Sequence, residues 1–145
     1  MKIYIASKLE NYEQVRYVRD FLARFGHTLT YDWTLHGSIK ETTEQDLTDC
    51  ANAELQGVRD ADIVLVLLPG GRGTHAELGM AIALNKPVYI WSATHELFTL
   101  TDKTCAFYWN NNVLRHVCPI ESFVTNISTI QKINVNLNVT LIDVP

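Results

Sequence analysis

Residues 61–68, Ala-Asp-Ile-Val-Leu-Val-Leu-Leu, are the most hydrophobic run in the chain, and they lead straight into Pro-Gly-Gly-Arg-Gly-Thr. A strand with one wet face alternates apolar and polar residues; a strand that is apolar throughout must be covered on both faces. This run therefore predicts a central strand between two layers of helices. The glycine turn and the apolar segment behind it predict a strand–loop–helix unit, the building block of a parallel sheet.

The flanking sequence repeats that unit. Lys2 to Ala6 reads as a first strand. Val15, Val18, Leu22 and Phe25 recur at helical spacing ahead of Gly26, a helix terminator. His27 to Tyr31 reads as a second strand, and helices are predicted from about Thr43 to Arg59 and about Thr74 to Asn85. Pro87 to Trp91 supplies another strand and Cys105 to Trp109 a fifth. The expected fold is α/β: a Rossmann-like (flavodoxin-like) doubly wound parallel sheet of about five strands, with right-handed crossovers, in one domain over 1–145. Near the end, Val135, Leu137, Val139 and Leu141 alternate with Asn or Thr, so 126–145 is expected to add an edge strand or a subunit contact.

Composition narrows the function. A net charge of −4 with no basic cluster argues against a nucleic-acid polymer or an anionic membrane as partner. No apolar run approaches the roughly 20 residues that span a bilayer. Cys50, Cys105 and Cys118 are odd in number and scattered, which fits reduced thiols and a cytoplasmic location, with the sequons at Asn126 and Asn138 unused. The histidines lack metal-ligand spacing, and no metal or cofactor is expected.

The chemistry concentrates at the glycine turn. Gly70, Gly71 and Gly73 lie where open parallel sheets bind ligands, outside a strand's C-terminal end, and the following helix offers unpaired N–H groups to an anion. The turn lacks the Gly-Lys-Ser/Thr of a Walker loop and the spacing of a dinucleotide fingerprint. Two readings of Glu77 stand open. Thr74-His-Ala-Glu77 has capping-box spacing, which by itself accounts for both end residues. Against this, residues 78–84 are apolar or small nearly all round, which places Glu77 at the mouth of a ligand crevice. On the preceding helix Leu47, Ala51 and Val58 define an inner face that includes Glu54, with Asp49, Asn52, Gln56 and Asp60 outside. A carboxylate on an apolar face is costly unless paired or used; the alternatives to use are that Glu54 snorkels at the rim or pairs with a base such as Arg72. His75 is expected to face solvent in the first helical turn.

"KIYIAS", "YDWT", "ELQGVRDADIVLVLLP" and "GRGTHAELGMAIALNKPV" resemble the nucleoside 2-deoxyribosyltransferases and the related 2'-deoxynucleoside 5'-phosphate N-hydrolases over roughly residues 1–91. The resemblance puts the family's nucleophilic glutamate, in its G-x-x-x-E-x-G context, at Glu77. It puts the family's sugar-side aspartate at Glu54, one methylene longer than the pattern. It implies N-glycosidic cleavage or transfer on nucleosides or their 5'-monophosphates, through a carboxylate nucleophile, in a homo-oligomer whose subunits share sites. Gly71, Gly73, Thr74, Ser7 and Lys8 become candidates for the sugar's 5' end, with Lys8 alternatively an ordinary surface lysine. Asp32 and Trp33 are candidates for the base side, with Trp33 alternatively a packing residue. Tyr108 and Asn110 to Asn112 are further candidates. "PGGRGTHAE" also resembles the Lonely-guy phosphoribohydrolases, which release a base from nucleoside monophosphates. The reading from another class is a nucleotide-binding module without turnover.

Overall fold

The structure, a computed structural model, describes residues 1–39 and 41–131. Five strands form one parallel sheet: β1 (Lys2–Ala6), β2 (Thr28–Leu29), β3 (Ile63–Leu67), β4 (Val88–Ser92) and β5 (Val113–Val117), in the order β2-β1-β3-β4-β5. Four helices connect them: α1 (Tyr12–Ala23), α2 (Glu44–Asp60), α3 (Arg72–Ala83) and α4 (Ile120–Ser128). Helices α2 and α3 pack together on one face, α1 and α4 on the other. This is the doubly wound order whose strand connection reverses between β1 and β3, opening a crevice at their C-terminal ends.

The central strand is as its composition demands. Every residue of Ile63–Leu67 is fully buried, between β1 and β4 in the register Ile5↔Leu65 and Leu65↔Tyr89. Helix α1 buries Val15, Val18 and Leu22, then stops at Gly26, whose φ of 82° is a left-handed conformation that glycine adopts without steric cost. Helix α2 opens on Thr43, whose hydroxyl accepts the Asp46 N–H at 3.1 Å.

Three expectations fail here. The fifth strand is Val113–Val117, whereas Ala106–Trp109 is a 3-10 turn. The turn's aromatic run imitates a buried strand. The real strand, Val-Leu-Arg-His-Val, lies at the sheet edge and carries polar residues that hide its pattern. On α2, Leu47 and Ala51 are exposed, because the first half of this 17-residue helix overhangs the sheet and only Gly57 and Val58 are buried. The α3 surface is likewise not buried all round: Ala76, Ala83 and Leu84 are exposed. Residues 126–128 complete α4. The alternating stretch from Val135 to Leu141 lies outside the described residues.

His116 on β5 packs against Tyr89 and Phe123, ring centroids 6.0 and 5.3 Å away, and its Nε2 is buried without a hydrogen-bond partner among the described residues. Burial pushes its pKa below the ordinary 6.5. As pH falls below that value the unfolded chain takes up the proton first, so stability is lost toward acid. Melting curves between pH 7 and 5 are expected to show His116→Leu gaining stability relative to the native chain as pH falls. Equal slopes in the two proteins would refute the assignment.

Candidate active site

Glu77 stands on the second turn of α3 with 4% of its surface exposed. Its Oε1 accepts the Tyr4 hydroxyl at 2.6 Å. Tyr4 comes from β1, so the bond crosses the crevice at which the sheet's connection reverses. Burial raises the Glu77 pKa to about 8. The Tyr4 hydrogen bond pulls the other way, and the negative charge of Glu54 adds to the rise. Glu77 therefore holds a proton at neutral pH, poised to lose it when positive charge arrives. Burial and the Glu77 charge together push the Tyr4 hydroxyl well above the usual phenol range, so it stays a donor.

Glu54 approaches from α2, half-buried, and its Oε1 accepts the Cys50 thiol at 3.5 Å. Burial, followed by the Glu54 charge, raises that thiol to about 11, so Cys50 is a neutral donor. Tyr31 lies beyond, its hydroxyl 3.0 Å from His36 Nε2. Two carboxylates from different helices thus share one side of the crevice, and one feels the other's charge.

The glycine turn departs from the expected cap. Helix α3 begins two residues earlier than predicted, at Arg72, with Gly71 as N-cap. Thr74 is not the cap: its Oγ1 accepts the Gly71 N–H at 3.0 Å. This frees Glu77 from capping, because the reach-back is made by Thr74 three residues earlier in the chain. A Cβ on Gly70 would stand 2.7 Å from Thr74 Cγ2, so Gly70 must lack one. Gly73 opens onto free space. His75 does not face solvent. Its Nδ1 lies 2.7 Å from the Gly71 carbonyl and its Nε2 2.7 Å from the buried Tyr108 hydroxyl.

The remaining candidates divide between the crevice and its supports. Ser7 Oγ donates to the Leu67 carbonyl at 2.8 Å and accepts from Asn11 Nδ2, which also reaches the Pro69 carbonyl. Ser7 thereby ties the β1 loop to the glycine turn. Lys8 lies against Gly71, its Cβ 3.6 Å from where a glycine Cβ would stand. Asp32 accepts from the Thr34 amide and hydroxyl at 3.0 and 2.6 Å and pairs with Arg19 at 2.7 Å. Burial opposes ionisation there, but those bonds outweigh it and hold Asp32 below the usual carboxylate value. Trp33 is buried, its indole N–H donating to the Ile5 carbonyl at 2.8 Å. Asp32 and Trp33 thus have structural partners. Tyr4, Cys50, Tyr31 and His36 escaped the sequence reading. Tyr4 could have been found, since a tyrosine in the middle of a buried strand is seldom without a hydroxyl partner.

A doubly wound parallel sheet with a buried, protonated carboxylate at its switch point, a second carboxylate beside it and a glycine turn entering the next helix defines an α/β enzyme for a small, polar substrate. The chain belongs to the nucleoside 2-deoxyribosyltransferase family, whose profile matches residues 3–128. Membership makes it an enzyme of N-glycosidic bond cleavage or transfer on nucleosides or nucleotides. Among the solved structures that share its fold are two enzymes. The 2-deoxyribosyltransferase of Bacillus psychrosaccharolyticus is 23% identical, with TM-score 0.63, over 97% of this chain and 100% of the other. The CMP N-glycosidase of Clostridium botulinum is 15% identical, with TM-score 0.61, over 88% and 97%. No curated protein matches the chain. Among the described residues no helix is long and apolar enough to cross a membrane.

Proposed function

We propose that Glu77 attacks the anomeric carbon of a nucleoside or nucleoside 5'-monophosphate and that Glu54 manages the proton of the leaving base. The observation that carries this reading is the buried Glu77 carboxyl, anchored by Tyr4 and raised to about 8 partly by the charge of Glu54. A carboxylate destabilised by burial gains most from a positive charge developing at the sugar, which is what breaking an N-glycoside creates.

In the first step a Glu77 oxygen bonds to C1', the C1'–N bond breaks, and its electron pair leaves with the base. The base takes a proton from Glu54, which received it as Glu77 ionised on substrate binding. In the second step water, or the nitrogen of another base, attacks C1'. The C1'–O bond breaks, its electrons return to Glu77, and the nucleophile's proton returns to Glu54. Water gives hydrolysis and a base gives transfer.

The sugar's 5' end is placed at the glycine turn, where the first-turn amides of α3 have no side-chain cap and Lys8 lies alongside. A second copy of the chain belongs to the proposal. Leu47, on the same helix as Glu54, and Leu35 are 42% and 77% exposed, apolar surface that a neighbouring subunit would cover. The three unpaired cysteines fit a reducing, cytoplasmic setting.

Chromatography of the products from deoxynucleosides, ribonucleosides and their 5'-monophosphates, each with and without a second free base, tests the reading. Free base released without an acceptor identifies a hydrolase, and a new nucleoside formed only with acceptor identifies a transferase. Turnover surviving in Glu77→Ala would sink the mechanism. Ligand binding without turnover of any substrate would favour a binding module.

A further inference from the structure

The glycine turn must be held by something other than its own backbone, because Gly70, Gly71 and Gly73 leave it with an unusual range of conformations. Part of the restraint is local: Thr74 Oγ1 on the Gly71 N–H, and Asn11 on the Pro69 carbonyl. The other part comes from far along the chain. The Gly71 carbonyl accepts the His75 backbone N–H at 3.2 Å and sits 2.7 Å from His75 Nδ1. A carbonyl can only accept, so Nδ1 must carry the imidazole proton. In the neutral ring Nε2 is then an acceptor, and the Tyr108 hydroxyl 2.7 Å away donates to it. Tyr108 is itself buried and takes the edge of the Phe98 ring.

The consequence falls on one peptide plane. The Gly71 carbonyl and the Arg72 N–H belong to the same rigid unit and point in opposite directions. Pinning the carbonyl toward the helix therefore aims the Arg72 N–H outward, away from α3 and into the crevice mouth. Were the peptide to rotate, that mouth would present a carbonyl oxygen to whatever occupies it. A full flip would drive Arg72 to positive φ and break the bond from the His75 backbone N–H, but smaller tilts of the plane are open to glycine's ψ at position 71, and these the His75 ring opposes.

We propose that Tyr108 and His75 form a positioning pair that fixes the Gly71–Arg72 peptide with its N–H toward the substrate's 5' end, so that the pair governs preference for a 5'-phosphorylated sugar. His75 does not touch the substrate; it acts through the peptide. The inference rests on placing the 5' end at the glycine turn.

The test uses the full chain with 2-deoxyribose 5-phosphate and 2-deoxyribose as probes, their Kd values compared by calorimetry. In the native protein the phosphorylated sugar should bind the tighter. His75→Leu and Tyr108→Phe should each reduce that preference by about tenfold, the scale of one hydrogen bond. His75→Asn, whose Nδ2 can donate from nearly the position of Nδ1, should restore most of it, which a merely structural role for the ring would not predict. Nitrogen-15 spectra of labelled histidine should show His75 protonated at Nδ1 when neutral, with Nε2 shifting on Tyr108→Phe. A preference kept in both His75→Leu and Tyr108→Phe, or a His75 protonated at Nε2, overturns the inference alone. A native protein that binds the two sugars equally overturns the 5' placement beneath it.

Discussion

Glu77→Gln is expected to lower kcat/KM by about four orders of magnitude, the scale on which removing a covalent nucleophile acts, while making the protein more stable at neutral and alkaline pH. The two effects have one cause. In the native fold the Glu77 pKa is about 8, against 4.5 for the free side chain. Between those values the folded state binds a proton that the unfolded state has released, so stability falls as pH rises from 4.5 to 8, by about 1.4 kcal/mol per pH unit at most. Glutamine keeps an oxygen for the Tyr4 hydroxyl and has nothing to ionise. The stability gained by the variant should be absent near pH 4, grow up to pH 8 and then level off, as read from urea unfolding at each pH. The native enzyme's kcat/KM should show the matching limb, falling as pH climbs through about 8, because the proton that Glu54 hands to the leaving base comes from Glu77. Tyr4→Phe removes the bond that holds the Glu77 pKa down and should move this limb to higher pH. A variant with unchanged pH dependence of stability would show that Glu77 is not the protonated group; a Tyr4→Phe limb displaced to lower pH would refute the role of the hydroxyl.

Gly57→Ala is the second substitution with a large expected effect, because it acts on Tyr4 from behind. Helix α2 crosses β1 at Gly57, and a Cβ there would stand 2.9 Å from Tyr4 Cδ2 and Cε2 and from Tyr31 Cβ. Alanine improves helix propensity by up to about 1 kcal/mol. The overlap should still win, since Tyr4 is fully buried and cannot retreat without displacing the strand. A net destabilisation of about 2 kcal/mol is expected, in the range of overpacked cores. Activity should fall as well, with the alkaline limb moving as in Tyr4→Phe, because the ring that is pushed carries the hydroxyl on Glu77. Unfolding curves and a pH–rate profile on the same variant check both. A variant as stable as the native chain, with an unmoved limb, would refute the close crossing.

Much of the scaffold was legible from short stretches of sequence. The unbroken apolar run of β3 announces burial on both faces, and Gly26 announces the end of α1, since each signal is local. The edge strand β5 was misplaced for the complementary reason: with one side of the sheet open, Arg115 and His116 are tolerated, and the aromatic turn before it is the more apolar segment. The overhang of α2 was invisible because a helical wheel gives a face, not the point where the protein ends beneath it.

The candidate carboxylates were legible too, by type and spacing, but not their state. Glu77 and Tyr4 meet across 73 positions, His75 and Tyr108 across 33. No periodicity connects such residues. By itself the sequence determined the central strand, the glycine turn, and the carboxylates placed on the two helices that face the crevice, because backbone conformation and amphipathic pattern are encoded within a few residues. Only the tertiary structure decided that Thr74 rather than Glu77 reaches back to the helix start, that His75 turns inward, and that Glu77 keeps a proton at neutral pH. Those outcomes depend on burial and on charges brought together from distant segments, and neither quantity exists until the chain has folded.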